Sequence, residues 1–251
     1  MQPQEYRTMF EFESFYWWYR GLHLILLDTL KSLGLTSSSR ILDAGCGTGQ
    51  NLAHIKAEIT EEAYGFDASV FASQFWHRRN LERVCIASIN EIPFPAHTFD
   101  AAVSVDVLEC ESVRERDAYA ELCRVVRPGG FVVLVLPAYE WLMNPGHHKA
   151  VAAVRRYSRS RVRELVMSQP VELVRFTHLF GTLLPAVACK RLADRYVFQR
   201  TNGEARSDLQ PLPKTLNELL LGIVRVERRF VRKHNLPFGS SILAVVRKVG
   251  R

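Results

Sequence analysis

The sequence predicts an α/β protein built on a parallel β-sheet, and three observations support this class. Short runs rich in Val, Ile, Leu or Ala alternate with segments of helical periodicity through residues 40–137. Most of these runs show little polar alternation, as expected for strands covered by helices on both faces. A cluster of three glycines directly follows the first run, where open α/β sheets bind their ligands. This alternation implies right-handed crossovers between the strands.

The elements follow in order along the chain. The first five predicted strands are 40–45, 63–67, 83–88, 101–106 and 130–137. A helix is predicted over 113–126, where Pro128 and the two glycines after it give a strong stop signal. Two further strands, 171–180 and 240–248, enclose a long segment. Within that segment 216–231 is predicted to be an amphipathic helix, and 201–213 an exposed loop.

The N-terminal stretch 12–30 is predicted to be helical and is rich in aromatic residues. Most aromatic stripes at helical spacing are core packing. The density of aromatic residues before the first strand also fits a lid that closes over a flat ligand. The sequence leaves these two interpretations equally open.

Composition restricts the classes of function. The chain has 251 residues, of which 47% are hydrophobic and 24% charged, which predicts a folded domain with an insertion. No apolar run is long enough to span a membrane, and the N-terminus lacks the features of a secretory signal. Five scattered cysteines argue against a disulfide framework or a metal site. We therefore expect a cytoplasmic protein.

Positive charge is concentrated in one part of the chain. The net charge is +7, and residues 181–238 contain eleven Lys or Arg against five Asp or Glu. Such a segment fits an anionic partner, either a phosphate-bearing substrate, an acidic membrane surface or a nucleic acid. A solvated basic surface is an equally good interpretation.

The stretch RILDAGCGTGQNL, residues 40–52, contains the glycine cluster. Gly45, Gly47 and Gly49 have the spacing G-x-G-x-G, whereas a dinucleotide fold requires G-x-G-x-x-G and a phosphate loop requires Gly-Lys-Ser/Thr. Glycine tolerates positive φ and has no side chain to keep a ligand away. Asp67 ends the next predicted strand, where an acid can accept hydrogen bonds from both hydroxyls of a ribose. The sequence therefore predicts a ligand with a ribose and without a pyrophosphate at the helix terminus.

Four successive motifs resemble those of the class I S-adenosylmethionine-dependent methyltransferases: ILDAGCGTG, GFDAS, IPFPAHTFDAAVSVDVLE and RVVRPGGFVVLVLP. The nearest likeness is to the bacterial branch called methyltransferase type 11, and WWYR, RRYS and LPFGSSILAVVRK extend it over nearly the whole chain. The resemblance implies a doubly wound, seven-stranded, mostly parallel sheet whose last strand is antiparallel. The implied parts are an N-terminal helical lid (1–39), a cofactor-binding core (40–180 and 239–251) and a helical insertion on the acceptor side (181–238).

The resemblance also implies S-adenosylmethionine as the cofactor, with a set of binding residues. Asp43 would orient the glycine loop, Gly45 and Gly47 would let the methionine moiety approach, and Asp67 would hold the ribose. The other expected cofactor contacts are Arg20, Cys46, Ala68, Ser88, Ile89 and Asp106. Ser88 replaces the Asp that usually binds the adenine amino group, so we expect weaker or altered binding. For Cys46 and Thr48 the simpler interpretation, that they fill the turn, is favoured.

The acceptor side departs from the pattern of the family. Glu109-Cys110 stands where the family usually has Glu-His, and the loop before RRYS carries His147-His148 and Ala152-Ala153 in place of His-Asp and Gly-His. The expected catalytic residues are His147, Tyr157 and Glu109. His147 leads because it occupies the histidine position of the subfamily, although a surface histidine is an equally good interpretation.

Other residues on this side are predicted to contact the acceptor. The expected contacts are Trp18, Tyr139, His148 and Arg156. Arg155 and Arg156 would clamp an anionic group or pair with surface acids. The paired histidines have no third ligand at a useful spacing, so no metal site is predicted.

Three classes of function remain open. The favoured one is a methyltransferase for a small-molecule or lipid-linked acceptor, a monomer or homodimer with peripheral membrane contact through its basic segment. The second is a fold-mate that uses the same cofactor for cyclisation or elimination, which would not accumulate demethylated cofactor. A nucleic-acid methyltransferase, suggested by RRYSRSRVR, ranks last because no Asn-Pro-Pro-Tyr-type motif or RNA-binding appendage is present. A shallow salt dependence of binding would eliminate it.

Overall fold

Seven strands form a single sheet in the computed structural model, which describes residues 1–200, 207 and 209–250. The order across the sheet is β3-β2-β1-β4-β5-β7-β6. The strands are β1 (Ile41–Ala44), β2 (Ala63–Asp67), β3 (Val84–Ile86), β4 (Phe99–Val105), β5 (Val126–Pro137), β6 (Val171–Leu179) and β7 (Ser241–Lys248). Strands β1 to β5 pair in parallel, whereas β7 is antiparallel to both β5 and β6. The seven strands and the antiparallel last strand are confirmed.

Nine helices are present in the part of the chain that is described. They are α1 (Pro3–Phe12), α2 (Trp17–Ser32), α3 (Gln50–Glu58), α4 (Val70–Trp76), α5 (Glu115–Val125), α6 (Pro145–Val151), α7 (Arg159–Val166), α8 (Leu184–Arg200) and α9 (Lys214–Val231). Strand β5 begins four residues before its predicted start, and its pairing with β4 shifts register between Phe99 and Ala101. The glycines after Pro128 therefore lie inside an irregular strand.

Helices cover both faces of the sheet, so the doubly wound architecture is confirmed. The sheet has a hydrophobic core on each face, and alternate residues of a strand belong to different cores, because successive side chains point to opposite faces. On β5, Val132 and Leu134 pack with α5 and α7, while Val133 and Val135 pack with α2, α3, α4 and α9. This second face also receives α1 through Tyr6.

The two helices of the N-terminal segment have different surroundings, and the lid stays a prediction. Leu22, Ile25, Leu26 and Leu30 bury one face of α2 in the core. A Cβ atom on Gly21 would lie only 2.6 Å from Val224 Cγ1, so this glycine permits the close packing of α2 against α9. Helix α1 lies at the cavity described below. Most of the predicted loop 201–213 falls on residues outside the described ones.

Candidate functional site

A cavity of about 590 Å³ opens at the carboxyl-terminal edge of the parallel strands. The glycine loop after β1 and the ends of β2, β3 and β4 form its base, and α1, α2, α6 and α8 contribute to its wall. Ser240 and Ser241 also line it, because the antiparallel β7 begins at this same edge. The volume lies within the range of about 300–1,000 Å³ that is typical of small-molecule sites.

The glycine loop has the backbone that its sequence predicts. Gly45, Gly47 and Gly49 all have positive φ, at 83°, 55° and 87°. A Cβ atom at Gly47 would lie 2.8 Å from Cε of Met9, a residue of α1. Trp76 Nε1 donates to the carbonyl of Gly47 over 2.8 Å. The loop is therefore held from below by α4 and covered by α1.

Asp67 lies at the end of β2 and accepts three hydrogen bonds. Its Oδ2 accepts from the Gly47 N–H at 3.0 Å, and its Oδ1 accepts from the Ser69 N–H at 2.9 Å and from the Tyr6 hydroxyl at 3.0 Å. A carboxylate offers about four acceptor positions, so about one remains. Binding of two ribose hydroxyls to Asp67 therefore requires Tyr6 to withdraw. Burial raises the pKa of the Tyr6 hydroxyl, and the negative charge of Asp67 adds to this shift.

A buried acid ties the turn between α1 and α2 to the glycine loop. Thr48 Oγ1 donates to both carboxylate oxygens of Glu13, at 2.6 and 2.7 Å, and Arg79 forms an ion pair with Glu13. Arg79 Nε also donates to the carbonyl of Thr48 at 3.1 Å. Burial raises the pKa of Glu13, although Arg79 and the bond from Thr48 oppose the shift. Thr48 thus does more than fill the turn.

Two carboxyl groups line the cavity after β4. Asp106 has a positive φ of 51°, a conformation that Asp tolerates better than most residues, and Glu109 is only 5% exposed. Burial raises the pKa of both groups; for Glu109 the neighbouring Asp106 adds to the shift, and for both the positive charge of Arg156 opposes it. The Arg156 guanidinium donates to the carbonyls of Ala138, Tyr139 and Ser240.

Several buried oxygens at this cavity have no hydrogen-bond donor among the described residues. They are Oε1 of Gln50, Oδ1 of Asn51, Oδ1 of Asp106 and Oε2 of Glu109. A buried acceptor without a donor is costly, so natural sites leave one mainly where a ligand or water completes it. All four are acceptors. They fit a ligand rich in N–H and O–H groups, as the ammonium and ribose of S-adenosylmethionine are.

Most of the predicted cofactor residues are brought together at the cavity. Those that line it are Gly45, Cys46, Gly47, Asp67, Ala68, Ser88, Ile89 and Asp106. Asp43 is buried in β1, beneath the glycine loop, where burial and the charge of Asp67 raise its pKa to about 7. Of the expected acceptor-side residues, Trp18, Glu109, His147, His148 and Arg156 line the same cavity.

Three predicted site residues lie elsewhere. Arg20 forms an ion pair with Glu218 of α9 at 2.6 Å and is not among the residues that line the cavity. Tyr157 is fully buried in the core, and its hydroxyl donates to Glu115. The ring of Tyr139 stacks on Trp141 and His178. These neighbours come from distant parts of the chain, so the motif positions alone did not reveal where the side chains point.

The two histidines lie on a helix instead of the expected loop. Asn144 caps α6, since its Oδ1 accepts from the N–H groups of Gly146 and His147, and Pro145 occupies the first turn. Asn followed by Pro is a helix-start signal, so the sequence carried the information. His147 lies partly exposed at the cavity, and the ring of His148 is buried with Nδ1 2.8 Å from the carbonyl of Asn144.

Sequence reasoning missed several residues of the cavity. Tyr6 and Glu13 approach the glycine loop from α1 and the turn after it, and only the aromatic density of the N-terminus hinted at them. His23 lines the cavity with its ring 4.7 Å from that of His54. Burial lowers the pKa of His23 to about 3, so this imidazole is neutral. No local pattern marked it.

The described residues contain no group of three His, Cys, Asp or Glu side chains arranged to hold a metal ion. None of the helices they form is long and apolar enough to cross a membrane.

The central part of this chain is similar to methyltransferases that are named for different substrates. Residues 42–134 match the methyltransferase domain family. A 24-methylenesterol C-methyltransferase of Oryza sativa subsp. japonica is 30% identical over 132 residues, which is 47% of this chain and 35% of that protein. A tRNA (carboxymethyluridine(34)-5-O)-methyltransferase of Arabidopsis thaliana is 36% identical over 110 residues, 42% of this chain and 26% of that protein. The matched part is thus about a third or less of these relatives.

A solved structure shares the fold over almost the whole chain. It is an S-adenosylmethionine-dependent methyltransferase of Thermotoga maritima, described as a possible histamine N-methyltransferase, with a TM-score of 0.60 and 17% identity. The likeness covers 98% of this chain and 95% of that one. The two curated relatives above come from plants, so the bacterial branch stays a prediction. The strand order and the glycine loop agree with the match over residues 42–134: this part of the chain is a methyltransferase domain, and the whole chain has the fold of the S-adenosylmethionine-dependent methyltransferases.

Proposed function

We propose that this protein transfers the methyl group of S-adenosylmethionine to an apolar or amphipathic small molecule. The observation that carries the proposal is the single cavity in which the cofactor residues meet a largely apolar wall. That wall comes from the N-terminal helices, α6 and the insertion, and includes Trp17, Trp18, Leu22, Val151, Val187 and Leu209.

The cofactor side of the cavity supports the first half of the proposal. Asp67 would hold the ribose, the glycine loop would accommodate the methionine moiety, and Ser88 and Ile89 would border the adenine. When bound, the cofactor supplies an activated methyl group for in-line displacement. The protein then has mainly to align the acceptor, which is worth about 7–11 kcal/mol in ideal intramolecular reactions.

The acceptor side supports the second half. An apolar wall excludes water and favours a hydrophobic acceptor. The rice relative is named for a sterol substrate. Lys190 and Arg191 of α8 also line the cavity and would suit an acceptor that carries one anionic group. An apolar wall does not suit a nucleic acid, whose binding depends on phosphate contacts.

Glu109 is the first candidate for the general base, and His147 is the second. Both line the cavity, and burial raises the pKa of the Glu109 carboxyl above its ordinary value, which strengthens its ionised form as a base. Glu109→Gln should lower kcat, measured at saturating cofactor, by about 10²–10⁴-fold. Glu111→Gln, which removes an exposed acid two residues away, should leave kcat as in the native protein.

The test of the whole proposal is product identification. The protein is incubated with isotopically methyl-labelled cofactor and a cell extract that contains both lipids and polar metabolites. A labelled apolar product, found by mass spectrometry together with demethylated cofactor, is the expected result. Label confined to polar metabolites or nucleic acid would overturn the acceptor class. A new product without demethylated cofactor would indicate cyclisation or elimination instead.

A further inference from the structure

Helix α9 presents an apolar stripe to solvent. Its inner face is buried through Leu221, Val224 and Val231. On the outer face Leu216, Leu219, Val226 and Phe230 are 40%, 61%, 66% and 50% exposed, and Ile223 lies between them. The spacing alternates between three and four residues, which places all five on one side of the helix. From Leu216 to Phe230 the stripe is about 21 Å long.

The charges beside this stripe are basic. Arg225 and Arg229 are exposed, and no acid among the described residues lies within ion-pair distance of either. The two acids of α9 are already used: Glu218 pairs with Arg20, and buried Glu227 accepts from the N–H groups of Phe180 and Thr182. The free face of the helix is therefore apolar and cationic.

Two other arginines, at the C-terminal end of α9, have a different role in the fold. Arg228 forms two hydrogen bonds with Asp28 of α2, at 2.6 and 2.7 Å, and fastens α9 to the domain. Arg232 lies 3.8 Å from the same carboxylate. These contacts orient α9 so that the stripe faces outward. The basic residues that face solvent beside the stripe are therefore Arg225 and Arg229.

We propose that α9 lies flat on an anionic phospholipid bilayer, with the stripe at the acyl-chain boundary and Arg225 and Arg229 among the lipid phosphates. A helix with an apolar face edged by arginines binds such an interface through both apolar burial and charge attraction. A second copy of this chain fits less well. It would bring a second set of arginines to the contact, and the acids of its own α9 are already paired.

The stripe is connected to the cavity through the first turn of α9. Asn217 accepts from the Trp17 N–H and donates to the Phe15 carbonyl, both at 2.9 Å. Tyr16, Trp17 and Trp18 line the cavity. A docked α9 would thus hold the turn between α1 and α2 near the bilayer, where an amphipathic acceptor resides. This last step rests on the proposed function, whereas lipid binding by α9 does not.

The experiment measures co-sedimentation of the full chain with vesicles of phosphatidylcholine, alone or mixed with phosphatidylglycerol. The native protein should bind the mixed vesicles and bind neutral ones weakly. Leu219→Gln with Phe230→Gln should lower the partition coefficient at least about tenfold, because two half-exposed apolar side chains no longer insert. Arg225→Gln with Arg229→Gln should lower binding to mixed vesicles about fivefold per residue and remove most of its salt dependence.

Matched controls come from α7 and the residue that follows it, since this helix packs on the other face of the sheet. Met167→Gln removes an equally exposed apolar side chain, and Arg163→Gln removes an exposed arginine. Both should bind vesicles as the native protein does, and circular dichroism should show that all variants are folded. Native-level binding by the α9 variants, or no vesicle binding by the native protein, would overturn the proposal. A native dimer that the α9 variants convert to monomers in sedimentation velocity, without vesicle binding, would assign the stripe to self-association instead.

Discussion

We expect cofactor binding to depend most directly on Asp67, whose carboxylate accepts hydrogen bonds from Gly47, Ser69 and Tyr6. Asp67→Asn keeps the shape of the side chain and removes its charge. Hydrogen bonds to a charged group are worth roughly 1.5–3 kcal/mol, so we expect the Kd of S-adenosylmethionine to rise at least about tenfold. Isothermal titration calorimetry measures this directly. An unchanged Kd in a folded variant would remove Asp67 from the ribose site.

Tyr6→Phe should act in the opposite direction. The change removes the hydroxyl that now fills one acceptor position of Asp67 and leaves the ring in the core. Because the ribose no longer has to displace a hydrogen bond, the cofactor should bind as tightly as to the native protein or more tightly, by up to about tenfold. Weaker binding would show that the Tyr6 hydroxyl helps to hold the cofactor.

Asp43 should give the stability of the protein a recognisable pH dependence. Its pKa is about 7 in the folded protein, against an ordinary value near 3.8. The folded state therefore binds more protons than the unfolded state between these values, and the free energy of unfolding must fall as pH rises from about 4 to 7. The loss is up to about 4 kcal/mol, since each pKa unit corresponds to about 1.36 kcal/mol.

Asp43→Asn should remove this contribution, so that the free energy of unfolding changes less over the same pH range. Urea denaturation at a series of pH values provides the measurement. Asp117→Asn, which removes an exposed carboxylate of α5, controls for the change in net charge. A variant with the full native pH dependence would show that Asp43 is not the titrating group.

At the scale of secondary-structure elements, α1 is the part of the N-terminus that is expected to act as a lid. It covers the glycine loop through Met9 and Tyr6, whereas α2 belongs to the core. Removal of residues 1–12 should therefore leave a folded sheet and increase the dissociation rate of the cofactor. Circular dichroism and stopped-flow fluorescence check the two parts. A native dissociation rate would mean that α1 is not a lid, and loss of folding would mean that α1 is core.

At the scale of the whole molecule, cofactor binding should stabilise the fold cooperatively, because one cavity joins strand ends to helices from both termini of the domain. Demethylated cofactor at about 100 times its Kd contributes about 2.7 kcal/mol. For a chain of this size that corresponds to a Tm increase of roughly 5–11 °C. Differential scanning calorimetry measures it. The same ligand concentration should shift the Tm of Asp67→Asn much less, and an equal shift would contradict the site.

The sequence by itself determined the architecture and identified residues that lie together at one cavity, whose binding of the cofactor stays a prediction. Strand periodicity, glycine spacing and the acid at the end of β2 are local properties of the chain, and each predicts the geometry of its own segment. For this reason all seven strands were found, and the glycine loop and Asp67 lie together at the cavity. The helix start at Asn144 was equally local, and the wrong loop prediction there came from overlooking its cap.

Only the tertiary structure decided which side chains face the cavity on the acceptor side. Tyr6 meets Asp67 across 61 residues, and Arg228 meets Asp28 across 200. Arg20 is drawn to Glu218, and Tyr157 is buried against Glu115. Motif positions carry no information about such partners, because a side chain turns toward whatever charge or apolar surface the folded chain brings near it. The outward stripe of α9 has the same origin, since packing against α2 decides which face of an amphipathic helix remains in solvent.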